Sequence, residues 1–180
     1  MSAHASEQEL TGRLARRARE VGADLVGFAD VAGLADLPRA VVVAIGHSSE
    51  VLADPEDMPN PAYSQEYADL NARLTAIVTE IADLLRAAGY RSVANPATLT
   101  WREIDGERLA AAFPHKTAAT RAGLGWIGKS ALLITPELGP GLRLASVLTD
   151  APLAVGDPIS ASECGECTAC VDACPAGAIR

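Results

Sequence analysis

The sequence predicts a layered α/β (α+β) domain with a central sheet, followed by a short cysteine-bearing segment. Three observations carry this. Helix-period and strand-period stretches interleave along residues 1–150, the pattern of helices covering a sheet. One strand, Ala40–Gly46 (AVVVAIG), is apolar throughout, as a strand covered on both faces must be. All four cysteines, Cys164, Cys167, Cys170 and Cys174, fall within the last seventeen residues. The chain therefore divides into a domain over 1–150, a linker over 151–162 carrying Pro152 and Pro158, and a partial segment over 163–180.

In chain order, Ser6-Glu7-Gln8-Glu9 reads as a capping box. Leu10, Leu14, Ala18 and Val21 share one face of the helix it opens, and Gly22 ends it. Ala23–Ala29 is the first strand and Ala40–Gly46 the second. Residues 47–61, with Pro55, Pro59 and Pro61, read as a loop. Pro61 suits the first turn of a long helix on which Tyr63, Tyr67, Leu70, Leu74, Ile77, Ile81 and Leu84 recur every three or four residues, with Gly89 as its stop. Tyr90–Ala94 reads as a short strand and residues 95–113 are ambiguous. A second helical stretch covers Pro114–Ala122. Ala131–Thr135 and Leu142–Thr149 read as two strands joined through the proline- and glycine-rich residues 136–141.

Composition narrows the class. With 180 residues, 49% hydrophobic and 21% charged, the chain can bury a core without staples. A net charge of −8 argues against a nucleic-acid backbone, DNA included, or an anionic membrane as the main partner. The longest apolar run, Ala40–Ile45, is far short of the roughly 18 residues that span a bilayer. The N-terminus lacks the basic-then-apolar pattern of a secretory signal, so the expected location is cytoplasmic. His4 belongs to the tail.

The cysteine spacing, Cys164-x2-Cys167-x2-Cys170-x3-Cys174-Pro175, is the bacterial ferredoxin run that holds a [4Fe–4S] cluster. Three thiolates three residues apart can converge on three irons of one cubane. The small residues Gly165, Thr168 and Ala169 let the backbone approach the cluster. Structural zinc sites instead separate two Cys-x2-Cys pairs by a longer loop. The fourth thiolate of such a run normally serves a second cluster. No other cysteine run stands in this sequence. Cys174 therefore bends back to one cluster, or another chain completes the site, or the chain is a fragment; truncation is the leading expectation.

Residues 114–129 read PHKTAATRAGLGWIGK. Gly123, Gly125 and Gly128 match a G-x-G-x-x-G pattern, but they follow a helix and precede a strand, the reverse of a dinucleotide fingerprint. What remains is a flexible turn around Trp126, whose indole offers a stacking face, ending at Lys129. The chain has thirteen arginines and two lysines, and both lysines, Lys116 and Lys129, lie here. They are wanted either as compact ammonium groups or as plain solvated charges.

Ala122–Lys129 (AGLGWIGK), Leu132–Ile134, Arg143-Leu144, Val147–Asp150 and CGECTACVDACPAGAI together resemble the epoxyqueuosine reductase family, over about residues 110–180. The Pro114–Ala119 segment is similar to that family's shorter relatives. The resemblance implies an α/β cofactor domain, a ferredoxin-like domain with two [4Fe–4S] clusters in the full-length pattern, and cobalamin reduced through them. It also implies a low-potential electron donor and a tRNA-nucleoside or small-molecule substrate. Reductive dehalogenases look related. The family's proton-donating aspartate is replaced by Leu109, and a glutamate–arginine pair by His115-Lys116. The expected cofactor-binding residues are Gly123, Gly125, Trp126, Gly128 and Lys129. The expected acids are His115, whose imidazole titrates near neutral pH, and then Lys116, with Asp105 and Glu107 close in sequence. His115 also has a structural reading at a helix start, as His47 has at the end of a strand. A flavin, or no second cofactor, remains an alternative to cobalamin, and a pure electron carrier remains an alternative to a reductase.

Overall fold

The computed structural model describes residues 6–53, 60–98 and 113–179. Leu109, Asp105, Glu107, His4 and most of the ambiguous stretch 95–113 lie outside the described residues, as do Pro55 and Pro59 of the expected loop.

The elements run α1 (Glu7–Glu20), β1 (Leu25–Asp30), β2 (Arg39–Gly46), α2 (Ser49–Leu52), α3 (Pro61–Ala87), β3 (Ser92–Asn95), α4 (His115–Arg121), β4 (Trp126–Ile127), β5 (Leu133–Ile134), β6 (Leu142–Thr149) and α5 (Ala169–Asp172). The four longer strands form one sheet in the order β1-β2-β6-β3, with every neighbouring pair antiparallel. In register, Val41 faces Val147, Val42 faces Ser146 and Val43 faces Ala145.

Side-chain alternation along β2 splits the interior into two cores. Val41, Val43 and Ile45 join Ala145 and Val147 beneath α1 and α3, with Leu10, Leu14, Leu74, Ile77 and Ile81. Ala40 and Val42 join Leu148 on the opposite face beneath α4, with Ala118, Ala119, Phe113 and Leu133. The apolar character of β2 along its whole length has this cause.

Local chemistry sets the helix ends. Ser6 Oγ accepts from Glu9 N–H at 3.2 Å, and Asn60 Oδ1 from Tyr63 N–H at 2.8 Å, capping α1 and α3. Gly22, Gly89 and Gly123 follow α1, α3 and α4 with φ of 103°, 92° and 74°, the left-handed geometry that glycine adopts without strain.

Three expectations are corrected. Residues 47–61 are not all loop: Ser48 Oγ accepts from Val51 N–H at 3.3 Å and starts the short helix α2, a cap that the neighbouring prolines obscure. Leu84 is 39% exposed, and Leu85 is buried in its place, because the stripe drifts around a helix of 27 residues. The expected strand Ala131–Thr135 is only two residues long, Leu133–Ile134, and it lies in a different sheet from Leu142–Thr149. Thr135 and Gly139 exchange backbone hydrogen bonds of 3.1 and 2.9 Å, closing a tight turn. That turn leaves β5 to pair with β4, while β6 enters the main sheet. Residues 151–162 hold no helix or strand, yet Leu153 is buried, Gly156 N–H donates to Phe28 O and Ile159 N–H to Thr120 O.

Leu74 is fully buried where α3 meets the sheet. Leu74→Ala is expected to cost about 2–5 kcal/mol of unfolding free energy, measured by urea denaturation. Leu84→Ala should change it by less than about 1 kcal/mol.

Candidate functional site

The β4–β5 ribbon is a brace rather than an open cradle. Its strands are two residues each, so close backbone approach does more than the ladder to hold it. A methyl group on Gly125 would run into the Ile134 carbonyl, and one on Gly128 into the Ile134 side chain. One on Gly123 would sit 2.7 Å from Asp157 O. The glycines expected to face a cofactor thus lean on their own chain. Ala131 closes the connecting turn with φ of 60°, a costly conformation for a residue with a Cβ. Lys116 Nζ donates to its carbonyl at 2.7 Å.

The cysteine loop lies against one side of this brace. A Cβ on Gly128 would be 3.5 Å from Cys164 Sγ. Lys129 Nζ donates to Gly165 O at 2.9 Å and to Cys167 O at 2.8 Å. The Ser162 hydroxyl, then the Lys129 backbone N–H and the Trp126 indole, hold the Cys164 thiol below its ordinary range. Trp126 Nε1 is nevertheless buried without a hydrogen-bond partner among the described residues. It therefore acts on that sulfur from outside hydrogen-bonding geometry. Cys174 stands in different surroundings. Ala178 N–H donates to its sulfur at 3.3 Å, and the backbone N–H groups of Ala178, Ile179 and Ala176 hold its thiol low.

No three described His, Cys, Asp or Glu side chains gather closely enough to surround a single metal ion. The donor set nevertheless fits an iron–sulfur cluster. Four free thiols stand in one exposed or half-buried run. Two of them are biased toward thiolate, the form that ligates iron. A buried indole N–H without a partner stands beside one.

Bordering the brace at Leu132 and Leu133 is a cleft of about 190 Å³, lined also by His115, Lys116, Leu142 and Arg143 among others. The structure thus brings His115 and Lys116 together at one cleft. Ser146 is fully buried on the α4 face of β6, so its hydroxyl needs a partner. It meets His115 Nδ1 at 2.9 Å, while His115 Nε2 meets Pro96 O at 3.1 Å. A carbonyl only accepts, so Nε2 carries the proton and Nδ1 accepts from Ser146. Burial, chiefly, pushes the imidazole pKa below its usual value. This geometry suits a neutral, structural histidine better than the proton donor expected from the sequence.

Sequence reasoning missed the arginine in the cleft as a site residue. Arg143 Nη2 donates to Thr98 Oγ1 at 2.7 Å and to Tyr67 OH at 3.0 Å, and Nε donates to Asn71 Oδ1 at 3.1 Å. Its guanidinium lies 4.1 Å from the centre of the Tyr67 ring. The Thr98 hydroxyl first, and then the Arg143 charge, pull the Tyr67 phenol below its usual range. A readable signal was present: Tyr67 and Asn71 are one turn apart on α3, and an arginine sits within an otherwise largely apolar strand. Beyond Tyr67, Tyr63 stacks on His47 at 5.1 Å, and His47 Nδ1 meets Glu66 Oε2 at 2.7 Å. Burial raises the Glu66 pKa, but His47 and Ser48 outweigh it and hold the carboxyl low.

An α/β domain gripping a run of four thiols defines an iron–sulfur protein. Residues 158–180 match the family model described as "4Fe-4S binding domain". The chain is 32% identical over 128 residues to the epoxyqueuosine reductase of Aliivibrio fischeri (strain ATCC 700601 / ES114), covering 67% of this chain and 30% of that protein. Its fold is similar to the catabolic reductive dehalogenase NpRdhA in complex with 3-bromo-4-hydroxybenzoic acid, with TM-score 0.82 and 21% identity over 99% of this chain and 27% of that one. It is similar also to epoxyqueuosine reductase with an epoxyqueuosine-modified tRNA-Tyr stem loop, with TM-score 0.63 and 19% identity over 94% and 52%. The chain belongs to an epoxyqueuosine reductase-like family, and it spans about a third or less of the length of the curated relatives it matches. Among the described residues no helix is long and apolar enough to cross a membrane.

The neutral His115 sets a pH dependence. Its folded pKa lies below the unfolded value of 6.5. The stability it contributes is therefore full above pH 6.5 and is lost as pH falls through the folded pKa. His115→Gln is expected to flatten the fall in melting temperature on acidification from pH 7 to about pH 5, measured by calorimetry at stepped pH.

Proposed function

We propose that this chain is the electron-delivering and substrate-facing portion of an iron–sulfur reductase similar to epoxyqueuosine reductase. The single observation that carries the reading is the position of the β4–β5 brace. The cysteine loop contacts it through Gly128 and Lys129. The cleft borders the same ribbon through Leu132 and Leu133. Cys164, Cys167 and Cys170 would hold a [4Fe–4S] cluster, with Cys174 set apart toward the C-terminal tail. When bound, the cluster supplies single electrons at low potential.

The chain's own residues do the rest. Arg143, fixed by Tyr67, Asn71 and Thr98, presents a permanent cation to negative charge that develops in the cleft. Lys116, which lines the same cleft, is the proton donor we assign in place of the family's aspartate. His115 stays neutral and fixes the start of α4. A cleft of about 190 Å³ is below the ~300–1,000 Å³ of a drug-sized pocket. It suits a small substrate, or the tip of a tRNA nucleoside, better than a whole corrin ring. A corrinoid-type cofactor, which the family resemblance implies, would meet this chain beside Lys116, Leu132 and Arg143, not on the filled faces of the glycines. Cys167 is exposed, which leaves the outer side of the loop open to a low-potential donor.

The test is anaerobic reconstitution of the chain, with iron analysis, followed by titration with cob(II)alamin watched by tryptophan fluorescence. Iron uptake of about four per chain with a saturable fluorescence change supports the reading. Iron uptake without that change would favour an electron carrier, and no iron uptake would end both readings. Cys167→Ser should abolish iron uptake, whereas Cys174→Ser should leave most of it. In a turnover assay, Lys116→Met should lower kcat by about 10²-fold or more, and His115→Gln should act mainly through stability.

A further inference from the structure

Two residues of the GLGWIGK turn serve neither the cleft nor the sheet core. Trp126 buries an indole N–H that no described acceptor satisfies. A buried donor without a partner costs on the order of 1–3 kcal/mol, so its position calls for an acceptor. The cysteine loop is close by: a Cβ placed on Gly128, two residues further along the same ribbon, would be 3.5 Å from Cys164 Sγ. A neutral thiol is a weak acceptor, whereas a thiolate that ligates iron is a strong one.

Lys129 is the second residue. Its ammonium spans from the end of β4 to the carbonyls of Gly165 and Cys167, the two residues that shape the first half of the cysteine run. Residues 158–180 carry Glu163, Glu166 and Asp172, and their one cationic residue, Arg180, stands six positions beyond the last cysteine. Lys129 forms no ion pair with an acidic side chain among the described residues. It is therefore a cation brought to an otherwise acidic loop by the α/β domain.

We propose that Trp126 and Lys129 are positioning residues for the cluster. With the cluster bound, the Trp126 Nε1–H would close onto the Cys164 thiolate as its acceptor while Lys129 clamps the loop carbonyls, and together they would raise the reduction potential of the cluster. This rests on the iron–sulfur reading above. The physical basis is that reduction adds one negative charge to the cluster. Hydrogen bonds to its sulfurs and a nearby cation stabilise the reduced form more than the oxidised one. The clamp also ties the potential to the fold, because both groups stand on the brace that borders the cleft.

The experiment uses the full chain, reconstituted anaerobically, with iron content, melting temperature and an EPR-monitored redox titration for each variant. Trp126→Phe keeps the ring and removes the donor. It should retain iron and shift the one-electron equilibrium about tenfold toward the oxidised form, ~59 mV more negative. Lys129→Met should shift the potential in the same direction and lose iron faster to a chelator, and Lys129→Arg should restore most of both. Pulsed EPR on wild-type protein carrying 15N-indole tryptophan needs no substitution, and it should show a nitrogen coupling to the reduced cluster. Normal iron content with an unchanged potential in Trp126→Phe, or no such coupling in the wild-type protein, would overturn the proposal and leave the iron–sulfur reading intact. A wild-type chain that takes up no iron would overturn both.

Discussion

The pairing of β2 with β6 is the constraint on which the rest of the molecule depends. Eight residues of each strand are in register, and six of the eight residues of β2 are buried. Because successive side chains point to opposite faces, this one pair supplies both cores. Val43 and Val147 anchor α1 and α3; Val42 and Leu148 anchor α4 and the brace. The two sides of the sheet therefore cannot be disturbed independently. Ser146 shows the consequence. It is a polar residue at a fully buried position directly opposite Val42. The partner its hydroxyl requires, His115, is thereby fixed at the start of α4, and α4 in turn leads into the glycine turn. A single hydroxyl in the central ladder thus sets where the cleft and the brace begin.

Much of this was legible in the sequence, and the reasons differ by element. The capping box at Ser6, the proline start and glycine stop of α3, and the unbroken apolar run of β2 are local signals, and local chemistry decided them. The cysteine spacing was readable for the same reason, since thiol reach is a property of a short loop. The pairing partner of β5 was not readable. Leu133–Ile134 follows the apolar pattern of any strand, and only the Thr135–Gly139 turn, a contact within a proline-rich stretch, sends the chain away from a hairpin with β6. The roles of the glycines were equally hidden. Composition showed that a turn was needed at Gly123–Gly128, but what each missing side chain would have struck is a tertiary fact. The obstacles are Ile134 for two of them and Asp157 for the third.

The candidate site divides along the same line. His115 and Lys116 were visible as titratable residues at a helix start, and the structure does bring them to one cleft. It separates their chemistry, however. The imidazole is half-buried with both nitrogens engaged, while the ammonium reaches the cleft wall. Arg143 left a signal, as an arginine in a largely apolar strand, but its role was not readable because it depends on Tyr67, Asn71 and Thr98, which approach it from elsewhere in the chain. A guanidinium held by three neutral partners keeps its whole charge for whatever enters the cleft. One held by a carboxylate would not.

Net charge takes on a sharper meaning once these positions are known. The chain is acidic, at −8, and the cysteine segment carries acids only up to residue 179. Yet the groups facing the inner side of the loop and the cleft are Lys129, Lys116 and Arg143. An acidic exterior repels anions at long range, weakly at physiological salt where charges are screened within about 8 Å. Arg143, half-buried at the cleft, acts within that distance and in a less polar medium than the exposed Lys116 and Lys129. On the proposed function, electron delivery would add negative charge first to the cluster and then to the reacting group. Lys129 beside the cysteine loop, with Lys116 and Arg143 at the cleft, would oppose that accumulation of charge least where the electrons pass.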